Sequence, residues 1–208
     1  MPDPDALAEQ LLAELALHPA AYLVGVAGIP GSGKTSLCEA LARRRPDAAI
    51  LSMDGYHLPR SRLDADQLRR RGALDTFDGA LFLADLTALR QTRRGVFPGF
   101  DHAEKDPRPA AAQVTPDIPL VIVEGIYVLM QAWRAEPLFD LRVFVDCSLD
   151  EAVRRLARRH LATGITSSLA EGLRRATEID RANAETILAD GCRERADLIL
   201  KTIPAAEA

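Results

Sequence analysis

The sequence predicts an α/β domain built on a mostly parallel five-stranded sheet with helices on both faces. Three observations predict it. Five short apolar segments recur along the 208 residues. Stretches with helical periodicity and helix-start residues separate them. A glycine-rich turn joins the first apolar segment to the helix after it. Strands covered on both faces read as continuous apolar runs rather than alternating ones. The length suits one domain, residues 1–208, with a sizeable core. No Gly/Ser-rich linker or internal repeat divides it.

Each element has a local reason. Residues 5–18 carry Leu7, Leu11, Leu12 and Leu15 at helical spacing, and Pro19 stops that helix. Tyr22 to Gly28, YLVGVAG, is the first strand. Thr35 to about Arg44 reads as a helix, and Ala48 to Gly55 as the second strand. The chain is then polar and Arg-rich through Arg71, with a short helix over Asp64 to Arg70. Asp78 caps a helix bearing Leu81, Phe82, Leu86 and Leu89. Gly95 to Pro119 holds five prolines among charged residues, so it reads as a long excursion rather than a core element. Leu120 to Gly125 and Leu141 to Cys147 are further buried strands. Ser148 with Glu151, and Ser168 with Glu171, are candidate capping boxes. They open helices to about Leu161 and Leu188, with Gly164 and Thr166 between them. Ala196 to Ile203 is the last strand.

Composition narrows the function. The formal charge of −4 gives no reason to expect nucleic-acid binding. Lysine occurs only at Lys34, Lys105 and Lys201, so most positive charge is arginine. Cys38, Cys147 and Cys192 form no CxxC element and no zinc pattern, and they read as free thiols. The N-terminus has no basic region ahead of an apolar stretch, and no apolar run approaches the length of a membrane span. The expectation is a cytoplasmic protein acting on a small molecule.

The most informative motif is GIPGSGKT: Gly28, Ile29, Pro30, Gly31, Ser32, Gly33, Lys34 and Thr35. It matches G-x-x-x-x-G-K-[ST] between a strand and a helix. Glycines let successive backbone N–H groups point at phosphate oxygens, and the helix N-terminus adds positive potential. Lys34 is expected to reach the β- and γ-phosphates of ATP, and the Thr35 hydroxyl to join a Mg²⁺ shell. Ser36, one position past the motif, belongs to the nucleotide site without holding the metal.

Two carboxylates suggest phosphoryl transfer. SMDGYH places Asp54 at the end of the second strand, on the ligand edge of a parallel sheet. There it could take the proton of an attacking hydroxyl. LVIVEG places Glu124 after an apolar strand, in the shape of a Walker B element, where it could hold Mg²⁺. The NKxD and DxxG motifs of a GTPase are not visible. Further domains that motor ATPases need have no room.

Taken in order, GIPGSGKT, SMDGYH, RRGALDTFD, FPGFDHAEKDP, VIVEG and RRLARRH resemble the phosphoribulokinase/uridine kinase/bacterial pantothenate kinase family of P-loop kinases. The resemblance covers most of the chain. It is nearest to a bacterial subgroup described as nucleoside/nucleotide kinase-like or fructose transport system kinases. It implies a P-loop kinase fold with an Arg-rich lid at about 154–168 and an acceptor-side insertion at about 55–118. Asp54 matches the family's catalytic base. Arg71, Gly72, Asp75, Phe77 and Asp78 match the block near the acceptor pocket, with Asp78 aligning better than Asp75. Tyr56 and His57, in the segment after the base, are expected on the acceptor side. Phe100, Asp101 and His102 match an aromatic-Asp segment that contacts substrate, and Lys105 extends it. Glu124 takes the Walker B position, also facing the acceptor.

Among Arg154, Arg155, Arg158 and Arg159 of the lid, Arg155 and Arg159 are the candidates for the transferring phosphoryl group. Asn183 is a candidate nucleotide contact. Trp133 is expected to pack rather than stack on adenine. Relatives are often oligomeric, so a homodimer is one expected state.

The resemblance also has departures. The histidine and arginine that follow the segment in uridine kinases are not intact in DHAEKDPRP. The aromatic pocket of pantothenate kinases and the extensions of phosphoribulokinases are absent. The expected activity is ATP-dependent phosphorylation of a hydroxyl on a sugar, nucleoside, vitamin or hydroxy acid. Two alternatives stand beside it. One is a nucleotide-binding regulatory or transport-accessory protein with weak or no kinase activity. The other is a nucleoside monophosphate kinase.

Overall fold

The computed structural model describes residues 3–101 and 103–202. Helix α1 (Pro4–Leu17) starts on Asp3, whose carboxylate accepts from the N–H groups of Asp5 and Ala6. Pro4 sits in the first turn, where a missing N–H costs nothing. Strand β1 (Leu23–Gly28) leads through the glycine turn into α2 (Lys34–Arg44). Then follow β2 (Ala48–Ser52), α3 (Ala65–Arg69), α4 (Gly79–Thr92), β3 (Gly95–Asp101) and β4 (Asp106–Val114). Next come β5 (Leu120–Glu124), β6 (Leu141–Asp146) and α5 (Leu149–Ala162). Helix α6 (Leu169–Arg175), α7 (Arg181–Ala189) and β7 (Leu198–Lys201) complete the chain.

The main sheet has the order β2-β5-β1-β6-β7, and all its pairings are parallel. Successive side chains of each strand go to opposite faces, so two cores form. Val24, Val26, Ile122 and Val143 pack with Leu11 of α1 and Leu37 and Leu41 of α2. Leu23, Ala27, Val121 and Val123 face the other way, toward Phe82 and Leu86 of α4 and Ile187 of α7. Trp133 is buried on this second face, with ring centroids 4.8 Å from Phe82 and 6.0 Å from Tyr127. It is a packing residue. The fold is an α/β P-loop kinase fold whose arginine-rich C-terminal helices resemble a lid.

Four expectations change. The proline-rich excursion contains an ordered antiparallel hairpin, β3–β4. Its register shifts between Phe97 and Gly99, where Pro98 sits, and a bulge removes the need for the missing N–H. Phe97 and Val114 are buried and anchor the hairpin to the core. The second strand stops at Ser52, and Met53–Tyr56 turns into a 3₁₀ segment. The helix after Ser168 breaks into α6, a single π turn over Ala176–Asp180, and α7. Ser148 and Ser168 each cap an N–H three residues on, while the glutamates turn elsewhere. The complete capping box is Asp64 with Gln67.

Candidate active site

The glycine turn lies at the C-terminal edge of β1. Gly31 and Gly33 have φ of +79° and +104°, values that a side chain would strain. A Cβ on Gly31 would fall 2.7 Å from the Ala152 carbonyl oxygen, so the loop presses against α5. A pocket of about 140 Å³ opens there, lined by Gly31, Gly33, Lys34, Thr35, Ser36, Arg155, Leu156 and Arg159. Arg155 and Arg159, four apart, share the face of α5 turned to this pocket. The Arg155 guanidinium is held by Glu151 at 2.8 Å and reaches the Ser32 carbonyl oxygen at 3.5 Å. Arg154 pairs with Glu151, and Arg158 is exposed. Gly28, Ile29, Pro30 and Ser32 complete the turn, with the Ser32 Oγ buried and unpartnered among the described residues.

Lys34 is buried, and its Nζ donates to the Ile29 carbonyl oxygen at 3.1 Å. Burial pulls its pKa down from 10.5 to about 8, against the attraction of Glu124 and Asp54. Glu124 is buried too, and burial followed by the charge of Asp54 raises its pKa. Parallel pairing sets Ser52 beside Glu124 at the sheet edge. The Ser52 Oγ donates to Glu124 Oε1 at 2.8 Å and accepts from the Asp54 N–H at 3.3 Å. One hydroxyl therefore links both carboxylate positions. Sequence reasoning missed Ser52, whose only signal was its place beside Asp54.

The hairpin supplies a second wall. Tyr56 is buried, and its hydroxyl donates to Asp85 at 2.9 Å. The His57 ring stacks on Phe77 at 3.8 Å and lies 5.1 Å from Phe100. Burial lowers its pKa to about 4, so its ring is neutral at physiological pH. Arg71 donates to the carbonyls of Leu58 and Lys105 and to Asp106 at 3.0 Å, and sits 5.6 Å from the Phe100 ring. It latches the hairpin tip to the 57–72 segment. Asp78 caps α4 through the Leu81 N–H. Asp75 is bound by Arg70. Asp101 accepts from the N–H groups of Ala103 and Glu104, and Lys105 is exposed on the tip with φ +54°. His102 lies outside the described residues.

Asn183 does not line the pocket at the glycine turn. It lines a separate cleft of about 610 Å³ between residues 69–75 and the helices after Ile165, together with Tyr127, Thr166, Arg174 and Arg175. The π turn faces this cleft through Glu178 and Ile179. Such turns recur at functional sites. Tyr127 joins the cleft to the carboxylate edge. Its hydroxyl donates to the Gly72 carbonyl at 2.9 Å, and its backbone N–H meets Met53 Sδ at 3.2 Å.

Comparison with known proteins fits this geometry. The Schizosaccharomyces pombe protein C227.14, named as a candidate uridine kinase, is 34% identical over 186 residues, covering 82% of this chain and 79% of its own. Protein YggC of Escherichia coli K12 is 37% identical over 185 residues, covering 83% and 74%. A crystal structure of a candidate fructose transport system kinase from Silicibacter sp. TM1040 superposes with a TM-score of 0.77 at 33% identity, covering 94% and 98%. The profile described as Phosphoribulokinase / Uridine kinase family matches residues 23–207. That match spans most of the chain, and the chain belongs to the phosphoribulokinase/uridine kinase family.

Proposed function

We propose that the protein transfers the γ-phosphoryl group of ATP to a hydroxyl of a small metabolite, with Asp54 as the base. The observation that carries this reading is the convergence of Lys34, Glu124 and Asp54 at one sheet edge, beside a lid face bearing Arg155 and Arg159. Family membership supports nucleotide use. Gly28–Thr35 cradle the phosphates, and Ser36 follows in the first helical turn. Lys34 neutralises the β- and γ-phosphates. Arg155 and Arg159 offset charge on the moving phosphoryl group.

The donor set suits magnesium, which uses one or two carboxylates and keeps water and phosphate oxygens. Thr35 and Glu124 would hold it, and it would supply charge neutralisation between the phosphates.

Asp54 orients the acceptor hydroxyl and takes its proton. Ser52 fixes its backbone. Neutral His57, Phe100 and the Arg71-latched hairpin wall the acceptor side, with Asp101 and Lys105 at the tip. Arg71 and Tyr56 act through position, since the two Nη groups of Arg71 and the Tyr56 hydroxyl are engaged within the protein. Asp78 starts the helix beneath. Asn183 fits the acceptor cleft better than the nucleotide.

The test is ADP formation by purified protein against a panel of sugars, nucleosides, vitamins and small hydroxy acids. At least one hydroxylated metabolite should raise ADP formation well above the rate with water alone. Stimulation by nucleoside monophosphates only would favour a monophosphate kinase. No stimulation by any acceptor would leave a nucleotide-binding accessory role.

A further inference from the structure

The 610 Å³ cleft has an uneven charge balance. Four arginines line it: Arg69, Arg70, Arg174 and Arg175. The first two are committed on their own wall. Arg69 bonds Asp66 at 2.6 Å, and Arg70 bonds Asp66 at 2.6 Å and both carboxylate oxygens of Asp75 at 3.0 Å. Arg174 and Arg175, in the last turn of α6 on the opposite wall, have no ion pair or hydrogen bond among the described residues. Glu171 senses Arg174 without pairing with it, and its Oε2 accepts from the Ser167 N–H and hydroxyl at 2.9 and 2.8 Å. Against its four guanidiniums the cleft lining sets three carboxylates: Asp75 on Arg70, Glu171, and the exposed Glu178.

Arg175 is half-buried. A partly desolvated cation with no direct ion-pair partner gains by pairing with an incoming anion. The planar fork of a guanidinium matches a carboxylate or phosphate through two parallel bonds. The same cleft also carries groups that bond hydroxyls. The Asn183 side chain is turned toward Gly72, its Nδ2 3.7 Å from where a Cβ there would lie, and the Thr166 side chain is close by in the same cleft. Tyr127 closes the end nearest Met53 and Asp54.

Resting on the phosphotransferase reading, we infer that the acceptor is a hydroxylated small molecule bearing an anionic group, a carboxylate or a phosphate ester. That group sits on Arg175 and Arg174, and the free hydroxyl points to Asp54. The acceptor's anionic group is thus read from the lid side of the cleft, across from the 69–75 wall.

The experiment measures ADP formation with matched acceptors: glycerol, glycerate and glycerol 3-phosphate, and ribose with ribose 5-phosphate. Wild-type protein is compared with Arg175→Gln, Arg174→Gln and Arg175→Lys. An anionic member should be the better substrate. Its carboxylate or phosphate arm identifies which anion is read. Arg175→Gln should raise the KM for that acceptor on the order of 10-fold, the loss of one charge-assisted bond, and leave the KM for ATP unchanged. Arg175→Lys, which keeps the charge and loses the fork, should recover part of the affinity. Equal or better turnover of the neutral members overturns the inference while leaving the phosphotransferase reading intact. So does a rise in the KM for ATP alone, which would assign these arginines to the nucleotide. Silence with every acceptor defeats the phosphotransferase reading, and this inference with it.

Discussion

Lys34 shows how a single residue can be poised by its surroundings. Its ammonium is buried against the Ile29 carbonyl, and burial draws its pKa to about 8. In the folded protein without nucleotide it therefore loses its proton as pH rises through about 8. Between there and the ordinary 10.5 the unfolded chain binds more protons, so this residue makes stability rise with pH in that window. Nucleotide phosphates favour the charged form and pull the pKa back up. Binding of ATP just above pH 8 should take up a proton, and affinity should fall as pH rises further. Calorimetry in two buffers of different ionisation enthalpy checks this, and no buffer dependence would place the proton elsewhere. Lys34, Thr35, Asp54 and Glu124 were legible as types in motifs. Ser52, which joins Glu124 to the Asp54 backbone, was not, because its bond depends on strand register across 72 positions of sequence.

At the scale of elements, the hairpin and the Asp54 turn form one unit. Gly55 packs so closely under β3 that a Cβ would fall 2.4 Å from the Pro98 carbonyl oxygen. That contact is backbone, which cannot rotate aside. Gly55→Ala should therefore lose roughly 1–3 kcal/mol of stability, read from urea unfolding. Unchanged stability would mean that the hairpin does not rest on this turn. Strands β1 and β5 were readable because a strand buried on both faces is apolar without interruption. The hairpin was not, because Pro98, Pro107 and Pro109 argue against a strand unless a bulge or an open edge absorbs them. Helices α6 and α7 read as one because the π turn between them leaves no glycine or proline in the sequence.

At the scale of the molecule, strand order explains why distant residues meet. β2, β5 and β1 are neighbours, so Asp54, Glu124 and the glycine turn emerge side by side at the C-terminal edge. This is the edge where open parallel sheets bind ligands. Helix α5 follows β6, the next strand, and so lays Arg155 and Arg159 over the phosphate pocket. The sheet thus brings the glycine-turn pocket, Glu124 and Asp54 to one end. The most direct test follows the γ-phosphoryl group itself. ATP labelled at that position is mixed with excess protein and an active acceptor, and the label is traced through one turnover. Wild-type protein should pass the label to the acceptor as a phosphate ester. Asp54→Asn should bind ATP unchanged and slow transfer by on the order of 10²–10⁴-fold, the usual contribution of a positioned base. Label found only in inorganic phosphate, or transfer at an unchanged rate in Asp54→Asn, would contradict the account.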